Sequence, residues 1–489
     1  MKLLQTLLLA GAATQAFGNE LLTVDKLEND VTETELRRIL SSLNKIGRDN
    51  GGNRAFGLPG YNASMDYVLE RAVKRFGKHM DTYVQKFTHV FEQTNRIELN
   101  EVDKEPVEAV SMRYNIPTAL PDGVTGKLVG LPVDDTRGSG CLAEQWDGID
   151  VKGKIVLVKR GQCNIADKVM HAKTRGAKAF ILYNNVDGPP VRSSLGLDSQ
   201  GRVVPSVSTT MALGNEWQKR MATGEEMEVQ VVVDTLVENR DSWNIISETK
   251  EGDPNNVVML GAHLDSVQAG PGVNDDGSGT AALLTIMGSI KKYKGFPNKV
   301  RFAWWGAEES GLIGSLYYGS KLTTEEADNI RFYFNFDMIG SPAPFYKVYA
   351  DSEDHKYGGK FLFDHLVKNG KQAEYAKFGS SSDYVAFLKL GIPSSGIFTG
   401  AGIPWDPNYH TIDDDIDNID WDAMVLNSKA AARAIGELAL SLEGVPPRKK
   451  TSPNPRSRKS IARAFQSWSE TVRVAEKVHT CGGQENIMI

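Results

Sequence analysis

Val257, Val258, Met259, Leu260, Gly261 and Ala262 form an apolar run with no polar alternation. Such a run suits a strand covered on both faces, as in a parallel sheet flanked by helices. Further strands are predicted over 300–305, 332–336 and 395–399, and an apolar helix over 281–287. Open α/β sheets place their sites at the carboxyl ends of such strands. Residues 22–85 show helical spacing instead, with Leu36, Ile39, Leu40, Leu43 and Ile46 recurring at one face, broken by a loop over 53–60. Over 106–235 the texture changes to short strands separated by Gly and Pro turns. If that stretch is an insert, strand candidates near 84–92 and 243–249 fall beside one another in one host domain.

The strand ends carry the chemistry. His263 and Asp265 follow the first run, and a Gly-rich loop over 270–279 then carries Asp275 and Asp276 up to the helix. The next strand delivers Glu308 and Glu309, the third Asp337, and a Gly/Pro loop after the fourth carries Tyr409 and His410. Any one of these is ordinary, since Asp-Asp-Gly is a common turn and paired glutamates often begin a helix. Together they make a mixed nitrogen and oxygen donor set that suits zinc or a related divalent ion, and a bridging carboxylate would allow two. Glu308 and Glu309 are expected to leave an extended segment in opposite directions, one toward metal and one toward substrate.

In order and rough spacing these segments, 263–266, 272–279, 308–311, 337–340 and 409–411, resemble metallopeptidase family 28, and most of all its fungal secreted and vacuolar leucine aminopeptidase and aminopeptidase Y type. The resemblance implies an α/β fold, a mostly parallel mixed sheet flanked by helices, as in zinc exopeptidases. It implies two zinc ions per chain, one held by His263 and Asp337, the other by Glu309 and His410, with Asp275 bridging. It also implies Glu308 as general base, Asp265 orienting His263, and Tyr409 stabilising the tetrahedral intermediate. Related enzymes often have arginine where this chain has Ser381, ahead of Ser382 and Asp383, so contacts made by that arginine do not carry over. The stretch 140–185 resembles a protease-associated (PA) domain, a small β-rich α+β insert. Similar domains pair the positions of Cys141 and Cys163, which leaves Cys481 over.

The expected organisation is a signal peptide at 1–18, a peptidase domain from 20–105 and 236–445 interrupted by the insert at 106–235, and a basic tail at 446–489 with the composition of a disordered segment. The leading Met1, Lys2 and apolar run mark export, so Asn62 in the sequon with Ser64 is a glycosylation candidate. The chain is expected to be secreted, with the vacuolar lumen as the alternative and no stable membrane anchor. A net charge of −6 argues against nucleic acid as the partner. The acidic run 413–415 reads as charge near a helix start, with Asp414 at most a weak support to the site. Peptide or protein amino termini are the expected substrates, with apolar preference. The alternatives are a carboxypeptidase of the same family and a non-catalytic binding module on the same fold.

Overall fold

The computed structural model describes residues 20–448. The expected signal peptide, Cys481 and the tail beyond Arg448 lie outside them. Helix α1 (Glu33–Asp49) is capped by Thr32, whose hydroxyl accepts from the Glu35 amide. Its buried face is Leu36, Ile39, Leu40 and Leu43, as their spacing predicts. Helix α2 (Pro59–Leu69) begins on proline, which suits a first helical turn. Asn62 is exposed on it, and the Ser64 hydroxyl is buried and donates to the Gly60 carbonyl.

The helical reading of 22–85 fails at its end, where strand β1 (Met80–Glu101) begins. Beyond it come β2 (Val124–Gly130), β3 (Ile155–Lys159), helix α3 (Ile165–Thr174), β4 (Ala179–Tyr183), β5 (Ser206–Thr209) and helix α4 (Met211–Ala222). Strands β2 to β5 are parallel neighbours in that order. Their two faces fill separate cores: Val156, Val158, Phe180 and Leu182 pack on one side, Ile155, Leu157, Ile181 and Tyr183 on the other. Strand β6 (Glu228–Thr249) then returns antiparallel to β1 along its whole length, with Val84 opposite Ile245 and Glu92 opposite Val237. This ribbon ties the smaller unit to the larger, and the boundary expected at 235/236 falls inside it. The long pairing explains why β1 is a strand: cross-strand partners outweigh local helix propensity.

Cys141 and Cys163 form a disulfide within the smaller unit, 22 residues apart in sequence and 5.7 Å between Cα atoms. Reducing it is expected to lower that unit's stability by about 2–4 kcal/mol and to leave the metal content of the chain unchanged. Calorimetry and zinc analysis with and without reductant check this, and zinc loss on reduction alone would contradict a division of labour between the two units.

The larger unit continues with β7 (Asp253–His263), helix α5 (Gly277–Ile290), β8 (Asn298–Trp305), helix α6 (Ile313–Lys321), β9 (Ile330–Phe336), β10 (Tyr346–Tyr349), helix α7 (Glu353–Lys368), β11 (Ala373–Ala376), helix α8 (Tyr384–Lys389), β12 (Ser394–Phe398) and helix α9 (Trp421–Leu440). Its sheet runs β11, β10, β12, β9, β7, β8, β6. The central strands β12, β9, β7 and β8 are mutually parallel, while β6 and β10 join antiparallel. Both faces of β7 are covered, as its unbroken apolar run requires. Val258, Leu260 and Ala262 pack into the core that contains α1, α5 and α9, and Val257 and Met259 into the one beneath α6 and α8. Among the described residues no helix is long and apolar enough to cross a membrane. Arg448, within the expected tail, still donates to the carbonyls of Leu390 and Gly391.

Candidate active site

His263 closes β7 directly opposite Trp305, the last residue of β8, and Phe336 ends β9 next to Asp337. Parallel strands in this register deliver His263, Glu308, Glu309 and Asp337 to one edge of the sheet. The loop from β7 to α5 brings Asp275 back onto the same edge. Its tight path depends on Gly272, at φ 62°, where a Cβ would stand 2.3 Å from the Asp275 carbonyl oxygen. Asp276 ends the loop and caps α5, with Oδ1 accepting from the Gly279 amide at 2.8 Å and Oδ2 from the His263 amide at 3.0 Å. The Asp275–Asp276 peptide is cis.

Asp275 stands at the centre. Its Oδ1 lies 3.0 Å from His263 Nε2 and its Oδ2 3.2 Å from His410 Nε2. Asp337 Oδ1 is 3.6 Å from His263 Nε2, and Glu309 Oε2 is 3.1 Å from His410 Nε2. Glu308 Oε2 is 3.9 Å from His263 Nε2. The five residues expected as ligands and the expected base are thus brought together. The Tyr409 ring stacks on His410 with centroids 3.8 Å apart.

The donor set fits a divalent cation on its own geometry. His263 Nδ1 lies 3.0 Å from the Asp265 carbonyl oxygen, which fixes the proton there and turns the Nε2 lone pair toward two carboxylates. Lone pairs facing one another at this range need positive charge between them. Glu309 Oε1 is buried with no hydrogen-bond partner, another oxygen that a cation would satisfy. His263, Asp276 and Asp337 also cluster within 4.8 Å, but Asp276 spends both oxygens on backbone amides, so Asp275 is the better placed donor.

Electrostatics carry the same demand. Burial alone would push His263 down, yet the Glu308 charge and contacts to Asp265, Asp275 and Asp337 hold it well above its usual range. His410 rises to about 11, with burial outweighed by Glu309 and Asp275. Burial pushes the Glu308 carboxyl well up, His263 opposes this, and repulsion from Asp383, Glu309 and Asp337 adds to it. Burial also raises the Tyr409 phenol well above 10, reinforced by the surrounding carboxylates.

Two expectations need correction. Glu308 and Glu309 leave a turn, not an extended segment: Ala307 has φ 56° and the Glu308 carbonyl accepts from the amides of Gly311 and Leu312. The Asp265 carboxylate holds that turn, accepting from the Glu308 amide at 3.1 Å and the Glu309 amide at 3.3 Å, while its main-chain carbonyl faces His263 Nδ1, where Asp265 was expected to orient the ring. Asp414 is no helix-start charge. That role belongs to Asp420, which caps α9, while the buried Asp414 carboxylate accepts from the amides of Asn274 at 2.8 Å and Asp275 at 3.0 Å. Burial and the Asp275 charge raise it to about 7.

Other contributors were missed. Ser382 donates to Asp337 Oδ2 at 2.6 Å and accepts from Asn335 Nδ2 at 2.8 Å. Arg54 is wholly buried against the loop that carries Asp275. A polar residue in a strand otherwise apolar was a usable signal for Asn335; Arg54, in a glycine-rich loop, offered none.

Comparison with known proteins agrees with this architecture. Residues 244–435 match peptidase family M28 and residues 124–217 match the PA domain. The chain is 36% identical over 449 residues to the probable lipoprotein aminopeptidase LpqL of Mycobacterium tuberculosis, covering 86% of this chain and 87% of the relative. It is 35% identical over 460 residues to leucine aminopeptidase 2 of Trichophyton rubrum, covering 88% and 89%. Among solved structures it resembles the aminopeptidase of Aneurinibacillus sp. strain AM-1, with a TM-score of 0.69, 28% identity and coverage of 85% and 96%. The chain therefore belongs to peptidase family M28: it is a metal-dependent hydrolase of peptide bonds, with a PA domain lying ahead of its catalytic segment in the sequence.

Proposed function

We propose that this chain is an exported dizinc aminopeptidase that removes apolar amino-terminal residues. The observation that carries the reading is Asp275, whose two oxygens each face a different histidine nitrogen, at 3.0 and 3.2 Å. One zinc would lie with His263 and Asp337, the other with Glu309 and His410, and Asp275 between them. When bound, the ions would polarise the scissile carbonyl and lower the pKa of the attacking water.

The chain's own residues do the rest. Glu308, with its carboxyl pushed up by burial, takes a proton from the water and passes it to the leaving amine. Tyr409 stays protonated at neutral pH and donates a hydrogen bond to the developing oxyanion. Glu308 and Asp337 offer negative charge to the substrate ammonium. Arg54, whose charge interacts with Asp265, Asp275, Asp276 and Asp414, is wholly buried with each guanidinium nitrogen on a backbone carbonyl, so it presents no exposed cation to a substrate carboxylate. This favours the amino end over the carboxyl end.

Apolar preference is supported by the loop that carries Tyr409 and His410: Ile403 and Ile412 are exposed, and Trp405 packs edge-on against Phe345 at 4.8 Å. Export is supported by the disulfide, which belongs to an oxidising compartment. We also propose that the PA domain restricts access or binds partners and leaves the chemistry to the larger unit. Hydrolysis of aminoacyl chromogenic substrates, alongside their N-acetylated forms and peptides blocked at the carboxyl end, tests the reading. Free amino ends should be cleaved and acetylated ones spared, and release of residues from the carboxyl end would overturn it.

A further inference from the structure

Arg54 is a guanidinium with no exposed surface, in the segment between α1 and α2, far from any expected ligand in sequence. Its Nε donates to the Pro271 carbonyl at 2.7 Å, its Nη2 to the Gly272 carbonyl at 2.6 Å, and its Nη1 to the Leu264 carbonyl. Its own amide donates to Ser266 Oγ at 2.9 Å, and that hydroxyl donates to the Gly270 carbonyl at 2.9 Å. One side chain thus ties the carbonyl directly after His263 to the two carbonyls that lead into Asn274 and Asp275.

The far end of the loop is gripped with the opposite sign. The Asp414 carbonyl accepts from the Val273 amide at 3.0 Å, and its carboxylate accepts from the next two amides. A cation holds the carbonyls and an anion holds the amides of one short stretch between His263 and Asp275. A buried guanidinium is expensive where apolar side chains would otherwise pack. Its forked, planar donors reach separate carbonyls from one fixed frame, which suits it to this place.

We infer that Arg54 is a positioning residue that fixes the separation of His263 and Asp275 before metal arrives. The inference rests on the dizinc reading above. Charge and geometry make opposite predictions here, which gives the test its power. By charge alone, a cation beside Asp265, Asp275, Asp276 and Asp414 repels incoming metal, and removing it would tighten zinc binding. As a clamp, it favours binding, and removing it weakens zinc despite the more negative surroundings.

The experiment compares the wild-type chain with Arg54→Met and Arg54→Lys. Zinc affinity is measured by competition with a chelator, exchange of the 273–275 amides in metal-free protein, and kcat and KM with and without excess zinc. The clamp predicts zinc affinity about 10–100-fold weaker in Arg54→Met, faster exchange at 273–275, and kcat partly restored by excess zinc with KM little changed. Arg54→Lys, which keeps the charge and loses the fork, should fall between. Zinc bound as tightly as in wild type, or more tightly, by the folded Arg54→Met chain overturns the inference while leaving the dizinc reading intact. If that variant does not fold, Arg54→Lys decides by the same criterion. A wild-type chain that fails to bind two zincs overturns the dizinc reading, and the inference falls with it.

Discussion

Glu308→Gln is expected to keep both zinc ions and full inhibitor affinity while turnover falls by ~10²–10⁴-fold. The amide keeps the size of the side chain and leaves the backbone anchor on Asp265 untouched, but it cannot take a proton. Glu309→Gln should behave differently, because Glu309 Oε2 faces His410 Nε2 at 3.1 Å whereas Glu308 lies 3.9 Å from His263 Nε2. It should weaken one metal site, with activity partly recovered by added zinc. Zinc content, inhibitor affinity and turnover of the two variants decide the matter: metal loss in the Glu308 variant with full occupancy in the Glu309 variant would reverse the roles.

Asp275→Ala has the next largest expected effect. It deletes the carboxylate whose two oxygens face His263 and His410 at 3.0 and 3.2 Å, and with it the group proposed to be shared by the two ions. Less than one tightly bound zinc per chain should remain, and hydrolysis should fall to background. The fold itself should persist, since Asp276 still caps α5 and the Asp414 carboxylate still has the two neighbouring amides to accept from. Elemental analysis finding two retained zincs in a folded variant would sink the assignment of Asp275 as bridge. Calcium in place of zinc is disfavoured by two histidine donors.

Much of the site was legible because its donors follow buried parallel strands. Such strands are largely apolar runs, so the acid and imidazole residues just after 257–262, 300–305 and 332–336 stand out as the sheet's carboxyl edge. The ribbon of β1 and β6 was only partly legible. Strands are expected from the sequence only near 84–92 and 243–249, because the rest of the ribbon includes exposed polar residues, as with Thr94 to Arg96, and 80–85 continues a helical pattern until pairing decides otherwise. Asp413, Asp414 and Asp415 read alike in sequence and differ in the fold: Asp413 is exposed, Asp415 pairs with Arg48 at 2.6 Å, and Asp414 is buried under the Asp275 loop.

The sequence by itself determined which donor types stand at the strand ends, their order along the chain, and the apolar face of α1, because these depend on local periodicity and on the alternation of buried runs with turn residues. Tertiary structure alone decided which oxygen meets which nitrogen, that Glu308 and Glu309 diverge from a turn, and that Arg54 and Asp414 hold the loop between His263 and Asp275. Those contacts join residues 217 positions apart for Arg54 and Pro271 and 139 apart for Asp414 and Asp275. Hydrogen-bond partnership and burial at such separations are set by how packed elements meet, and no pattern within a short window of sequence encodes them.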